Sequence, residues 1–125
     1  MTDEQLALAR RAVACRKWWA WMPGMLDAVL GRVIAVHDDE IVFHDYRVAD
    51  FFKIQPDSPD LTDPATRGCL LELVRQAWGD PTASVWYDDA QWGCGDGWSY
   101  RCGVAARCQH ASESEALVEA LEAAT

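Results

Sequence analysis

Cys102, Cys108 and His110 come nearest to a chemical set in this chain. A thiolate beside an imidazole makes a nucleophile with its base, and the same donors bind zinc. On one strand Cys108 and His110, two residues apart, share a face. The set goes no further: spacing supplies no fourth ligand and no orienting carboxylate, and no CxxC pair occurs. Other stretches fall shorter still. The run "HDDE" at 37–40 is not HExxH, the spacing that places two imidazoles on one helix face, and reads as a solvated turn. The run "GCGDG" at 93–97 has phosphate-loop glycines but no lysine, and a strand follows where a helix N-terminus is needed. Asp88, Asp89 and Asp96 lack calcium-loop spacing. Neither GxSxG nor a deaminase H-x-E with PCxxC is present. No cofactor and no metal set is expected. The residues favour a non-enzymatic chain, with a cysteine- or metal-dependent enzyme built on Cys102, Cys108 and His110 as an alternative.

Recognition is a different chemistry, and it concentrates in "WWAWMPGM" at 18–25. Trp18, Trp19 and Trp21 precede Met22-Pro23-Gly24-Met25, which fits a type II turn with Pro at the second position and Gly at the third. In an extended segment Trp19 and Trp21 face one way and Trp18 the other. Exposed, these aromatic and methionine side chains have the composition of a protein-contact surface. The candidate contact residues are therefore Trp18, Trp19, Trp21, Met22, Pro23 and Met25. The competing expectation is that the rings fill the space between the first helix and the sheet, with an indole N–H bonded to backbone. Arg16 and Lys17 beside Trp18 and Trp19 also have the pattern that stacks single-stranded bases, although the acidic remainder of the chain opposes this.

These residues need elements to hold them. Thr2 and Gln5 have capping-box spacing, with Asp3 and Glu4 in the first turn and Arg16 and Lys17 in the last. A helix is predicted to end near Lys17, with Leu6, Ala9, Ala12 and Val13 as its apolar stripe. The stretches "GRVIAVH" and "EIVFHDY" read as a hairpin with apolar residues on both faces, well inside a sheet. The run "DFFKI" at 50–54 offers a third strand, and "QPDSPDLTDP" at 55–64 is a loop. The second helix has Asp63 as N-cap, Pro64 at its first position, a broad face of Leu70, Leu71, Leu73, Val74, Ala77 and Trp78, and Gly79 as its C-terminal stop. Gly68 inside it suggests a close approach by another element. Strands "TASVWYD" and "GWSYRCGVAARC" follow, the latter read as one strand burying Trp98, Tyr100, Cys102 and Val104. Ser112 and Glu115 open a last helix with Ala116, Leu117, Ala120, Leu121 and Ala124 inward and Glu113, Glu119 and Glu122 outward. The order α-β-β-(β)-α-β-β-α predicts an α+β fold: a mainly antiparallel sheet with about three packed helices.

Composition bounds the rest. The 125 residues suit one domain, 1–125, able to bury a core without staples. No apolar run approaches the roughly 20 residues that span a bilayer, and the first residues lack the pattern of a secretory signal. Five cysteines at wide spacing read as free thiols of a reducing, cytoplasmic setting. The net charge of −9 argues against direct nucleic-acid binding, which relies on neutralising phosphates. The same charge motivates another alternative, an acidic DNA mimic that occupies a host enzyme's DNA-binding site.

At "WAWMPGM", "PDLTDPATRGCLLELVRQAWGDP" and "SESEALVEALEAA" the chain resembles a group of small phage and prophage proteins of unknown function. The three blocks stand in the same order, separated by variable stretches like 26–54 and 82–111. Some members of that group are described as α-β-α sandwich domains. The resemblance implies a phage-borne accessory protein in the cytoplasm of a bacterial host, and it brings no catalytic residues. A non-enzymatic interaction module is the reading these observations favour, its partner a host or phage protein, or a second copy in a homodimer.

Overall fold

A computed structural model describes residues 1–37, 40–44, 47–48, 56–88, 97–103 and 105–124. The chain is α+β, with antiparallel sheets, and it divides into two compact units, Met1–Cys69 and Leu70–Thr125.

The first unit opens with α1 (Asp3–Ala14), capped as its sequence predicts: the Gln5 amide donates to the Thr2 hydroxyl at 3.1 Å and the Thr2 amide to the Gln5 side chain at 2.9 Å. The helix stops three residues before the expected Lys17. Cys15 turns extended, its amide bonds Ala12, and Trp18 donates back to the Cys15 carbonyl at 3.0 Å. Arg16 and Lys17 therefore lie in a turn, not in a helical one, and only Arg11 is basic in the last turn of α1. Four strands follow: β1 (Leu26–Asp27), β2 (Gly31–His37), β3 (Glu40–Phe43) and β4 (Arg47–Val48), each antiparallel to the next. Of these, β2, β3 and β4 form a three-stranded sheet, and the two residues of β1 extend it along β2. Val33 and Phe43 pair and are buried, whereas Ile34 and Val36 are exposed. The hairpin thus presents one face to solvent, contrary to the expectation that both faces are covered. The pairing register shifts between Val33 and Ala35. The predicted strand at 50–54 lies outside the described residues.

The helix α2 (Pro64–Trp78) begins in the first unit and ends in the second. Asp63 caps it, accepting from the Thr66 amide at 3.0 Å. At its other end Gly79 and Asp80 donate to Gln76 and Arg75, the paired bonds of a Schellman stop. A Cβ at Gly68 would meet nothing within 4 Å among the described residues, so no close approach explains that glycine.

The second unit holds β5 (Ser84–Asp88), β6 (Gly97–Cys102), β7 (Ala105–His110) and α3 (Glu113–Ala123), with sheet order β5-β6-β7. The stretch predicted as one long strand is a hairpin. It reverses at Gly103, whose φ of +58° suits a residue without Cβ and whose amide donates to Asp80 at 2.6 Å. Tyr100 and Cys102 are buried as predicted, while Val104 lies outside the described residues. The Ser112 hydroxyl accepts from the Glu115 amide at the start of α3, and Ala116, Leu117, Ala120 and Leu121 are buried. The Trp78 indole donates to the Ala120 carbonyl at 2.8 Å, tying the end of α2 to α3. No described helix is long and apolar enough to cross a membrane.

Candidate interaction site

The tryptophan segment leaves α1 through the turn at Cys15–Trp18 and runs to the turn at Met22–Met25. Trp18 and Trp21 are 7% and 8% exposed and meet edge to face, with ring centroids 5.4 Å apart and planes at 67°. Trp19 is 69% exposed. The rings that share a side are thus three residues apart, not two, because the segment between the two turns is not a strand. The expectation that Trp19 and Trp21 face one way is corrected: Trp19 is the displayed ring and Trp18 joins Trp21 inside. Among the described residues the buried indole N–H of Trp18 has no hydrogen-bond partner, so the expected bond from a buried indole to backbone is not seen at this residue.

The turn itself forms as predicted. Met25 donates to the Met22 carbonyl at 3.1 Å, and Gly24 has φ of +100°, the backbone a type II turn demands at that position. Met25 is fully buried, Met22 is half-buried and Pro23 is exposed. Of the six predicted contact residues, then, Trp19 and Pro23 are displayed, Met22 is intermediate, and Trp18, Trp21 and Met25 serve mainly as their support.

A polar brace that sequence patterns did not reveal fixes this turn. The Gly24 amide donates to Val33 and the Val33 amide to Met25, both at 2.8 Å, which docks the turn on β2. Arg32 Nη1 donates to the Gly24 carbonyl at 2.7 Å, and its guanidinium grips Asp63 through two bonds of 2.8 and 2.9 Å. Asp63 also accepts from the Thr66 amide and hydroxyl, and that hydroxyl accepts from the Leu26 amide at 2.8 Å. The Arg32 hydrogen bonds hold the Asp63 carboxyl well below the usual carboxylate range, against its partial burial. One side chain thereby caps α2 and anchors the residues after the tryptophans. The cap was legible from Asp63-Pro64, but the pairing across 31 residues to Arg32 has no local signal.

Asp27 supports the neighbouring loop in the same way. Its buried carboxylate accepts from Val29, Leu30 and Ser58 amides at 2.9, 2.9 and 3.1 Å. The Ala28 amide donates to Ser58 and the Asp60 amide to Leu26, so residues 58–60 run beside β1. This brings Pro56 and Asp57 to the tryptophans. Val13, Trp18, Trp19, Ala20, Trp21, Pro56 and Asp57 together line an open depression of about 310 Å³. Asp57 is exposed and accepts from the Ser58 hydroxyl at 2.9 Å through one oxygen. Neither Pro56 nor Asp57 stood out in the sequence, since the prolines and aspartates of 55–64 mark a loop without showing what it packs beside.

The Cys102, Cys108 and His110 set does not assemble. Cys102 pairs with Ala105 beside the turn, whereas His110 pairs with Trp98 at the far end of the same hairpin. Four residues along β6 separate those levels, about 13 Å at strand rise. Cys108 is disulfide-bonded, correcting its reading as a free thiol; Cys15, Cys69 and Cys102 are in no disulfide. Burial pushes the Cys102 thiol up to about 11. His110 is buried. It bonds the Trp98 carbonyl at 2.9 Å through Nδ1 and Glu119 at 2.5 Å through Nε2. Glu119 therefore turns toward β7 instead of facing away. Both ring nitrogens are engaged, Nδ1 joining β7 to β6 and Nε2 joining β7 to α3, which leaves neither to serve a nucleophile. No group of three or more His, Cys, Asp or Glu side chains converges among the described residues. The middle of "HDDE" and all of "GCGDG" but Gly97 lie outside those residues, and His37 pairs with Glu40 in the β2–β3 hairpin.

Comparison with protein-family models, with curated proteins and with solved structures finds no match.

Proposed function

We propose that the chain is a non-enzymatic protein-interaction module, a phage or prophage accessory protein acting in a bacterial cytoplasm, whose contact centres on Trp19. The observation that carries this reading is the contrast within one segment. Trp18 and Trp21 are packed away, while Trp19, between them in sequence, stands 69% exposed beside a depression that the same rings line. Tryptophan is enriched among the few residues that dominate binding energy at interfaces, and a rigid buried support lowers the ordering cost of such an anchor. The Arg32–Asp63 brace supplies that support at the turn that follows.

The test is site-specific photo-crosslinking in the producing bacterium, with the photoreactive residue at position 19 and a control at exposed Val29. A discrete crosslinked partner at position 19, lost when Pro23 is also changed to Asp, supports the reading. Identical crosslinking from both positions, or none from position 19, removes the tryptophan contact.

A further inference from the structure

We infer that the second unit folds around a proton lodged between His110 and Glu119, which makes the joint between the β6–β7 hairpin and α3 sensitive to pH. This device is independent of the tryptophan contact and needs no partner. The hydrogen-bonding partners of one ring require it. Nδ1 of His110 lies 2.9 Å from the Trp98 carbonyl; a carbonyl oxygen only accepts, so Nδ1 carries a hydrogen. Nε2 lies 2.5 Å from Oε2 of Glu119. A neutral imidazole with its hydrogen on Nδ1 has a lone pair at Nε2, and an ionised carboxylate only accepts. Two lone pairs so placed repel. The contact becomes a hydrogen bond when one further proton sits between the two atoms. That proton rides on the ring, as imidazolium against carboxylate, or on the carboxyl. Either way the pair holds one proton more than a neutral histidine and a free carboxylate.

Burial makes the proton structural. His110 is 4% exposed, so a ring nitrogen that loses its partner gains little from water. The described groups around the pair come from three elements. On β6, Tyr100 lies against the imidazole with ring centroids 5.6 Å apart, and burial pushes its phenol up from its usual range, so it stays neutral where an imidazole titrates. On β7 itself, Arg107 pairs with Tyr100 and opposes a positive ring. On α3, Glu115 and Glu122 stand about one turn either side of Glu119 and favour it. Among the described residues, then, three carboxylates face one guanidinium. The sign of the linkage follows. As pH rises through the ordinary imidazole value of about 6.5, the unfolded chain releases its proton, whereas the folded chain must break the Glu119 bond to do so. The folded state binds more protons, and its stability falls as pH rises above that value.

NMR of the whole chain, isotope-labelled at the histidine ring nitrogens and the glutamate carboxyl carbons, reads both seats of the proton. His37→Gln and His44→Gln, at exposed positions, assign the remaining imidazole to His110. At about pH 7.5, above the ordinary imidazole value, the folded chain should show hydrogen on both His110 nitrogens, or on Nδ1 and on Glu119. The chain unfolded in urea should show a neutral ring and an ionised carboxylate. Glu119→Gln offers an amide that donates to Nε2, so in this variant His110 should carry hydrogen on Nδ1 alone. Urea unfolding of parent and variant at about pH 6 and about pH 8.5 gives the ratio of their folding equilibrium constants, and that ratio should fall about threefold or more as pH rises. Burial pushes up the Cys69 and Cys102 thiols in both proteins, and their contribution cancels in the ratio. A bare Nε2 beside an ionised Glu119 in the folded parent overturns the lodged proton, and does so even where the variant fails to fold. A ratio that stays constant between the two pH values overturns the pH sensitivity.

Discussion

Trp18 and Trp21 share their burial with neighbours of both kinds, an edge-to-face contact with each other and an open depression at their side. Truncating either to alanine removes a large buried ring and leaves a cavity, at a cost of about 3–5 kcal/mol. Trp19→Ala removes a displayed ring and should stay within about 0.5 kcal/mol of the parent. Trp18→Phe is the informative intermediate. It deletes a buried N–H that has no partner among the described residues, so mainly volume is lost, and the expected cost is under about 1.5 kcal/mol. Urea unfolding midpoints of the four variants check this order. A Trp19→Ala variant as unstable as Trp21→Ala would show that Trp19 is structural. Nothing in "WWAWMPGM" foretold which ring is displayed. The choice follows from a turn at Cys15–Trp18 that ends α1 early and sets the phase of the segment.

At the scale of elements, Asp63 matters most because it serves two of them at once. It caps α2 and pairs with Arg32 on β2, and through Arg32 it holds the carbonyl of Gly24. Its carboxyl titrates lower in the folded chain than in the unfolded one. The unfolded state therefore takes up the proton first as pH falls. The stabilisation is complete above the ordinary carboxylate value of about 4 and drains away as pH drops below it. Asp63→Asn should lose stability at neutral pH, by about 1 kcal/mol or more with the charged pair gone. It should also lose less than the parent between about pH 4 and pH 2. Denaturation curves across that range decide it, and parallel losses in both proteins would assign the acid sensitivity elsewhere. Elements were the most legible level of this chain. Thr2 with Gln5, Asp63-Pro64, Gly79 and Ser112 mark helix ends through bonds spanning three or four residues, and each of these marks coincides with an observed end. The hairpin at Gly103 was missed because a period-2 pattern runs through a tight reversal almost unbroken. Asp80, which holds that turn, is 23 residues away.

Over the whole molecule the dominant property is its charge. A net −9, with seven bases against eighteen acids beyond residue 20, repels phosphates at long range. The chain should not shift duplex DNA in a gel at ordinary salt and micromolar concentration. Inhibition of a DNA-binding enzyme that fades as salt rises would instead favour the acidic-mimic alternative. Local chemistry can run against the total. The α1 end carries Arg10, Arg11, Arg16 and Lys17, yet among the described residues the depression next to it is lined by three indoles, Val13, Ala20, Pro56 and Asp57.

By itself the sequence determined the α+β class, the helix starts, the stop of α2 at Gly79, the type II turn at Met22–Met25 and the net charge, because these depend on neighbours a few residues apart or on composition alone. Tertiary structure decided which tryptophan is displayed, that His110 is buried against Glu119, that Cys102 lies a hairpin's length from His110, and that Pro56 and Asp57 join the aromatic segment. Those outcomes turn on which distant strand, loop or helix comes to cover a side chain, and burial of that kind leaves no periodic trace in the residues it selects.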